Sequence, residues 1–375
     1  MKNKIFMGYF VFMLPLLSFP TSLESKVSTL KVPNGFQVEI FIDNIEKPRG
    51  LTSDHNGNIF IGSSSHFAYL VTKDKNIYTI ASNLTNPIGI AYFDNKLYIS
   101  SVDKIYVVQD VAKEIENTLN IKKAYKWRLE EFVRLPNTSS KKHTGKYIKV
   151  DTQSKKLIIN IGSPANSRIP EEEHEAILLG VDLETKEKIV MAYGVRNSVG
   201  FDFHPSDNFL YFSDNGRDNL GDNLPPDEIN VVAKYGAHFG FPYMFGKNGK
   251  DPAFSSKAPK NIDFVPPIYE LPAHVAPLGI HFYKGNIFPD EYKNKLFIAE
   301  HGSWNRSIPV GYRITTLDIN PTTKAATNYK VFLAGFLDSN GSKTGRPVDI
   351  ITYWDGSILF SDDFGNNIYR IYYKN

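Results

Sequence analysis

The chain lacks cysteine and lacks a strong net charge of either sign. Its 375 residues contain no Cys, which excludes disulfide bonds, thiolate metal sites, iron–sulfur clusters and a cysteine nucleophile. The 43 basic and 40 acidic residues leave a net charge of only +3. Nucleic acid recognition requires a clustered basic excess, so nucleic acid is not expected as a partner.

Long apolar runs are also missing beyond the N-terminus. Residues 1–25 begin with Lys2 and Lys4, continue through the apolar segment 5–19 and end in small and polar residues. This order predicts a secretory signal peptide, with an uncleaved N-terminal anchor as the alternative. We expect a periplasmic or secreted protein without a stable membrane span after signal removal, and residues 26–375 are expected to form a single domain.

Helical signals are sparse, and a β unit recurs instead. The segment DVAKEIENTLN at 110–120 is the one convincing amphipathic helix candidate. In each β unit a short apolar strand is followed by a turn rich in Asp, Asn or Gly and by a second apolar strand. The six units span residues 50–63, 89–101, 145–163, 200–216, 279–302 and 348–365.

Six unevenly spaced copies of one β unit predict an all-β fold, a six-bladed β-propeller. The 26 Phe and 21 Tyr suit packing between twisted sheets, because aromatic side chains cover a large area. Function in a propeller is expected where the innermost strands end, around the mouth of the central channel. Several units end in residues with useful chemistry, which are then expected to face one ligand together.

The run SDNGRDNLGDNLPPDEIN at 213–230 is dense in oxygen ligands and has neither helical nor strand periodicity. Calcium takes six to eight oxygen ligands, backbone carbonyls included. The spacing is not that of an EF-hand. Taken alone, the run is therefore either a solvated surface turn or a site for a hard cation.

Six motifs occur in one order over most of the chain. They are KKHTGKYI at 141–148, GVRNSVGFDFHP at 194–205, the run at 213–230, GAHFGFPYMFG at 236–246, AEHGSWNRS at 299–307 and GRPVDI at 345–350. From about Leu30 onwards the chain resembles the soluble pyrroloquinoline quinone (PQQ)-dependent sugar dehydrogenases, often called the glucose/sorbosone dehydrogenase family. The resemblance implies a six-bladed propeller, in agreement with the number of β units.

The resemblance also implies chemistry. It implies PQQ as the redox cofactor, Ca²⁺ beside it, a sugar or sugar-derived aldehyde as substrate and a respiratory quinone or cytochrome as electron acceptor. In the family, the histidine of the first motif abstracts the proton of the anomeric hydroxyl, which assigns this role to His143; a plain surface-loop histidine is the alternative. Relatives usually have small or acidic residues where Lys141 and Lys142 stand, and these lysines are expected to lower the imidazole pKa.

Arginine and flat side chains are expected around the cofactor. The family's Arg-Asn pair contacts the quinone, so Arg196 is expected to take part in catalysis as well as binding, and PQQ carries three carboxylates that suit arginine. Local turns or packing between blades are the alternatives for the remaining candidates. The predicted cofactor-binding residues are Arg196, Asn197, Ser163, Asn166, Trp304, Arg306 and Arg346.

Two calcium sites follow from the resemblance. The family's matching loop binds the cofactor calcium through backbone oxygens, which assigns Gly216 and Arg217 to that ion. The acidic pair that ends the loop contributes to a second, structural calcium in the family, which assigns Asp227 and Glu228 to it.

Two other functions remain open from the sequence. A calcium-dependent propeller lactonase or other hydrolase would need carboxylates from several blades around a central metal; the candidates are Asp214, Glu300, Asp362 and Asp363. A non-catalytic propeller that binds a glycan or a protein is the other alternative. The spacing of His274, His281 and His301 is not a metal-ligand pattern, so these are expected to be core or rim histidines.

Overall fold

The computed structural model describes residues 27–121, 125–136 and 142–374. The predicted signal peptide and Lys141 lie outside these ranges. Strands dominate the described residues, and the helix predicted at 110–120 is confirmed as α1 (Val111–Ile121). None of the helices in the described ranges is long and apolar enough to cross a membrane.

Six sheets of four or five strands form the blades of a propeller, so the predicted fold is confirmed. From the channel outwards, the first blade contains β2 (Pro48–Ser53), β3 (Ile59–Ser63), β4 (Ala68–Val71) and β5 (Ile77–Ala81). The second contains β6 (Ile90–Phe93), β7 (Lys96–Ser100), β8 (Lys104–Val108) and β9 (Glu130–Arg134). The third contains β10 (Ile148–Asp151), β11 (Lys156–Ile161), β12 (Ile177–Asp182), β13 (Lys188–Tyr193) and the parallel β17 (Ala237–His238).

The last three blades follow the same order. The fourth contains β14 (Phe201–Phe203), β15 (Leu210–Asp214), β16 (Asp227–Val232) and β20 (Tyr269–Leu271). The fifth contains β21 (Pro277–Phe282), β22 (Leu296–Glu300), β23 (Arg313–Ile319) and β24 (Ala326–Leu333). The sixth contains β25 (Pro347–Thr352), β26 (Ile358–Asp362), β27 (Asn367–Tyr373) and β1 (Phe36–Ile42). A short hairpin, β18 (Met244–Phe245) and β19 (Gly249–Lys250), lies outside the blades.

The ring closes on a sheet that joins the first and last described strands. β1 pairs antiparallel with β27 at the outer edge of the sixth blade, with Phe36 opposite Tyr373. The innermost strands of consecutive blades contact one another all the way around, including β2 against β25. This closure joins the two ends of the described chain in one blade.

Each predicted β unit forms the two innermost strands of one blade. Glycine at the beginning of a unit has a steric reason, because inner strands of neighbouring blades approach closely there. A Cβ at Gly50 would lie 2.4 Å from the carbonyl oxygen of Ile88, and one at Gly200 would lie 2.0 Å from that of Leu278. Both distances are far below van der Waals contact, so only glycine fits.

Aromatic rings fill the wedges between blades, as the composition predicted. Phe60 of the first blade stacks on Tyr92 of the second, with ring centroids 5.7 Å apart. Tyr211 of the fourth blade meets Phe282 of the fifth edge-on at 5.2 Å. Such contacts between sheets fix the blades around the channel.

Two cavities lie at opposite ends of the channel. One is lined by residues that precede or begin the innermost strands, among them Arg49, Arg196 and Arg346; we call it the arginine cavity. The other is lined by residues that lie further along those strands or follow them, among them Lys149 and Lys284; we call it the lysine cavity.

Candidate active site

The arginine cavity has a volume of about 270 Å³ and brings together turns from most of the ring. His143, Arg196 and Gly216, from three separate motifs of the sequence, all line it. The predicted site residues on its wall are His143, Arg196, Asn197, Gly216, Asp227, Trp304 and Arg346.

His143 is held in one tautomer. Its Nδ1 lies 2.6 Å from the carbonyl oxygen of Ser163. A carbonyl oxygen only accepts hydrogen bonds, so Nδ1 carries the proton and donates it, and Nε2 is left as the basic nitrogen of the ring. Gly162 permits this placement, because a Cβ there would lie 2.8 Å from the His143 Cβ.

His143 is also kept neutral. Burial, followed by the positive charge of Arg196 and by smaller contributions of Lys142 and Lys146, lowers its pKa to about 4. The direction predicted from the charge of Lys142 is confirmed, although burial has the larger effect. At neutral pH the imidazole is therefore unprotonated, which is the state a general base needs.

Arg196 is fixed by carbonyl groups of two loops. Its Nε and Nη2 donate to the backbone and side-chain oxygens of Asn166 at 2.8 and 2.9 Å, and Nη1 donates to the carbonyl of Asn215 at 3.0 Å. The backbone N–H groups of Arg196 and Asn197 donate to the carboxylate of Asp214 at 2.8 and 2.6 Å. The Arg-Asn pair is thus oriented by the carboxylate that ends β15.

Two further guanidinium groups line the cavity. Asp363 links Arg49 and His301, with its oxygens 2.6 Å from Arg49 Nη1 and 2.9 Å from His301 Nε2. Arg346 donates from Nε to the carbonyl of His301 at 2.9 Å and from Nη2 to that of Gly302 at 2.7 Å. Arg49 Nε is buried, and no described residue accepts a hydrogen bond from it.

Asp227 fixes the turn at Gly216. Its Oδ1 accepts from the N–H of Gly216 and its Oδ2 from the N–H of Ala276, both at 2.8 Å. Burial raises the pKa of Asp227 to about 7. Within the described ranges no hydrogen bond reaches the carbonyl oxygens of Gly216 and Arg217, so both oxygens can accept an outside partner.

Ser163 and Asn166 lie behind the cavity wall rather than on it. The carbonyl of Ser163 holds His143, and Asn166 holds Arg196. Their contacts therefore position the two predicted catalytic residues, a role that their place in the sequence does not indicate.

Trp304 and Arg306 differ in position although they are near neighbours in sequence. Trp304 lines the arginine cavity with 75% of its surface exposed, so it is not packed between blades. Arg306 does not line the cavity; its Nη1 donates to the carbonyl of Asp222.

Asp227 and Glu228 do not share a cavity. They are adjacent on β16, where successive side chains point to opposite faces. Asp227 lines the arginine cavity, whereas Glu228 lines a small pocket beside it together with Arg217. The predicted structural calcium at this pair therefore has no support from the geometry. Among the described residues, no group of three or more His, Asp or Glu side chains could hold a metal ion.

Sequence reasoning missed several residues of the cavity wall. The sequence motifs assign no site role to Arg49 or Asp218 and predict His274 and His301 as core or rim residues, yet all four line the arginine cavity. Arg49 lies just before the first β unit, as Arg346 lies just before the sixth. This shared position is the signal that could have identified Arg49.

Fold and cavity together define the class: a six-bladed β-propeller with a neutral histidine and three arginines at one mouth of its channel. A profile of the TrAA12-like family matches residues 30–247 and 233–374, which is nearly the whole described chain. The chain therefore belongs to the TrAA12-like family, and its resemblance to the soluble PQQ-dependent sugar dehydrogenases is confirmed.

Two related sequences frame this membership. A protein of Borreliella burgdorferi, whose name gives no function, is 63% identical to this chain over 378 residues, and the alignment covers both chains completely. A pyrroloquinoline quinone-dependent pyranose dehydrogenase of Coprinopsis cinerea is 23% identical over 417 residues. That alignment covers 91% of this chain but 54% of the relative, so the chain spans about half of its length.

Solved structures agree on the fold. The holo form of a pyranose dehydrogenase PQQ domain from Coprinopsis cinerea has a TM-score of 0.74 at 19% identity, covering 92% of this chain and 97% of that one. A calcium structure of a Carbohydrate-Active Enzymes family AA12 protein of Trichoderma reesei has a TM-score of 0.77 at 17% identity, with coverage of 92% and 97%.

Proposed function

We propose that the protein is a PQQ- and calcium-dependent oxidoreductase that oxidises a sugar or a sugar-derived aldehyde in the arginine cavity. The observation that carries this proposal is the convergence of a neutral imidazole, three guanidinium groups and a turn with available carbonyl oxygens on one cavity. The PQQ-dependent pyranose dehydrogenase among the relatives supports the choice of cofactor.

The cavity residues fit a flat polycarboxylate. Arg49, Arg196 and Arg346 would hold its carboxylates and quinone oxygens, since guanidinium groups bind such oxygens in pairs of hydrogen bonds. The buried Nε of Arg49 without a partner among the described residues is a donor that such a ligand would satisfy. Trp304, exposed at the cavity rim, offers an aromatic face for stacking.

The donor set near Gly216 fits calcium. The ion prefers oxygen ligands, and backbone carbonyls are among them. The carbonyls of Gly216 and Arg217 would supply two, with the carboxylates of Asp218 and Asp227 on the same wall. The calcium structure of the Trichoderma reesei AA12 protein supports an ion in this fold.

His143 is proposed as the general base. When bound, the quinone would accept the hydride released from the substrate carbon, with calcium polarising the quinone oxygen. His143 Nε2 would accept the proton of the substrate hydroxyl, because Nδ1 is committed to Ser163. Arg196 would stabilise negative charge that develops beside it.

Export and electron transfer belong to the same proposal. The N-terminal pattern of residues 1–25 predicts export to the periplasm or outside the cell, and a respiratory quinone or cytochrome is the proposed electron acceptor. The glucose- or sorbosone-type substrate comes from the family resemblance.

The hydrolase alternative is not favoured by the contacts of its carboxylates. None of the four candidate residues lines the arginine cavity. Asp214 is bonded to the Arg196–Asn197 backbone, and Glu300 accepts from Arg313 Nε at 2.7 Å. Asp214 and Glu300 are therefore engaged within their own blades, and Asp363 pairs with Arg49 and His301 rather than with other carboxylates around a shared centre.

Reconstitution tests the proposed function. Quinone-free protein is mixed with PQQ, with calcium, or with both, and a panel of sugars is assayed with an electron-accepting dye. We expect dye reduction only with both additions and at least one aldose or aldehyde. Metal-dependent lactone hydrolysis without PQQ would favour the hydrolase, and no reaction together with no thermal stabilisation by PQQ would favour a non-catalytic propeller.

A further inference from the structure

A small pocket lies beside the arginine cavity, on the opposite face of β16. Three carboxylates line it, those of Asp214, Glu228 and Asp251, together with the aromatic rings of an insertion that follows β16. Its volume is about 30 Å³, the space of roughly one water molecule or one ion. A buried set of acids normally requires a cation, and calcium is the usual one for oxygen ligands.

Arg217 already supplies a cation to this pocket. Its Nη1 lies 2.8 Å from Oδ2 of Asp251. The side chain of Asp251 is 2% exposed and that of Arg217 is 17% exposed, so the pair is shielded from water and from salt. Asp251 Oδ1 accepts in addition from the N–H groups of Ala253 and Phe254 at 2.8 and 3.2 Å.

The remaining acids of the pocket have partners of their own. Glu228 accepts from the N–H of Gly246 at 2.6 Å and from Asn230 Nδ2 at 3.0 Å. Asp214 accepts from the backbone of the Arg196–Asn197 pair. No coordination group of three acidic or histidine side chains is present in the described ranges. The pocket is therefore complete without a metal ion.

We infer that the Arg217–Asp251 ion pair replaces a structural cation in this chain, so that no calcium ion binds in the pocket beside Glu228. The pair ties the Gly216 turn, whose backbone faces the arginine cavity, to the insertion that carries β18 and β19. The Arg217 side chain thus anchors, from the opposite side, the turn whose Gly216 lines the cavity. This inference does not depend on what the arginine cavity binds.

The test uses quinone-free protein, so that it can fail separately from the proposed function. Wild type and Arg217→Ala are stripped with a chelator, and calcium content and thermal midpoint are measured with and without calcium. Removal of the guanidinium leaves Asp251 unpaired beside two other acids. We expect Arg217→Ala to bind one more calcium per chain than wild type and to gain at least about 5 °C more from saturating calcium.

Matched variants separate the effect of the lost charge from a general loss of folding stability. Arg217→Lys keeps the charge, so we expect no additional calcium. Arg313→Ala breaks the pair with fully buried Glu300 in another blade, where the ion pairs of the described residues join Arg313 to Glu300 alone, so its loss of stability should not be restored by calcium.

Two results would overturn the inference. One is a second calcium ion in wild type; the other is an equal calcium response of wild type and Arg217→Ala. If Arg217→Ala does not fold, Asp251→Asn decides the question: it leaves a positive charge in the pocket, and restoration of its stability by calcium would contradict the inference.

Discussion

The two ends of the channel contain similar residue types in opposite electrostatic arrangements. In the lysine cavity, buried Asp202 lies 2.8 Å from Lys149, 3.5 Å from Lys284 and 3.0 Å from Nδ1 of His281. Although burial opposes ionisation, the charges of Lys149 and Lys284 keep the pKa of Asp202 well below its ordinary value. The charges at this end compensate one another.

At the other end, the charges are only partly compensated. Arg49 pairs with Asp363 at 2.6 Å, and Arg196 Nη2 lies 3.6 Å from Asp218. The hydrogen bonds that Arg196 and Arg346 donate go to backbone carbonyls and to the Asn166 amide, which do not cancel their charge. Burial raises the pKa of Asp227 to about 7, although the charge of Arg196 acts in the opposite direction. The charge that remains uncompensated in the arginine cavity suits a negatively charged ligand, whereas the lysine cavity leaves less charge for a ligand to balance. The following predictions test that contrast.

The largest effect is expected from His143→Ala. Loss of the base should lower the rate of sugar oxidation by about 10²- to 10⁴-fold while PQQ still binds. Steady-state kinetics and a quinone titration measure the two effects separately. His281→Asn, at the opposite end of the channel, is the matched control and should keep a rate near that of wild type. Similar losses in both variants would remove the distinction between the two cavities.

A smaller loss is expected from Gly162→Ala. The added Cβ would lie 2.8 Å from the His143 Cβ and would displace the imidazole, and a shift of about 1 Å can cost about 10²-fold in rate. Gly180→Ala in β12 of the same blade is the control, since its Cβ would meet the flexible Met191 side chain at 3.1 Å. An unchanged rate in Gly162→Ala would mean that the placement of His143 does not matter.

Arg346→Gln should weaken the binding of PQQ by about 10- to 100-fold, the value of one charge-assisted contact. The dissociation constant is measured by titration of quinone-free protein at saturating calcium. Lys149→Gln removes a positive charge from the lysine cavity and should leave quinone affinity unchanged. If both variants weaken binding equally, the effect reflects net charge rather than a contact in the arginine cavity.

The smallest effect concerns pH. Burial, Arg196, Lys142 and Lys146 together keep the pKa of His143 at about 4. At calcium concentrations that keep Asp227 ionised, kcat/KM should therefore stay constant as pH falls through 6 and should decrease as the imidazole becomes protonated. Lys142→Gln removes a positive charge, which makes protonation easier and raises the pKa. The acid limb of the profile should then move up by about 0.3 of a pH unit. A downward shift would contradict this assignment of the base.

Local sequence features predicted the propeller well. Each β unit contains its own turn chemistry, and Gly50 and Gly200 report the close approach of neighbouring strands. Six such units are enough to define the blades. His143 and Arg196 were found because their motifs resemble those of a known family.

Partners that meet only when the ring closes could not be predicted in this way. Arg49 and Asp363 are 314 positions apart, and no spacing rule connects them. The supporting roles of Ser163 and Asn166 depend on carbonyl directions, which residue type does not encode. The separation of Asp227 from Glu228 follows from strand geometry, which the adjacency of the two acids in the sequence does not reveal.

The most direct test of the central claim is an experimental structure of the protein after reconstitution with PQQ and calcium. We predict one quinone in the arginine cavity, with His143 Nε2 facing the substrate side, Arg49, Arg196 and Arg346 on its oxygens and the ion on the carbonyl of Gly216. A quinone bound in the lysine cavity, or an arginine cavity that stays empty at saturating quinone, would contradict the account.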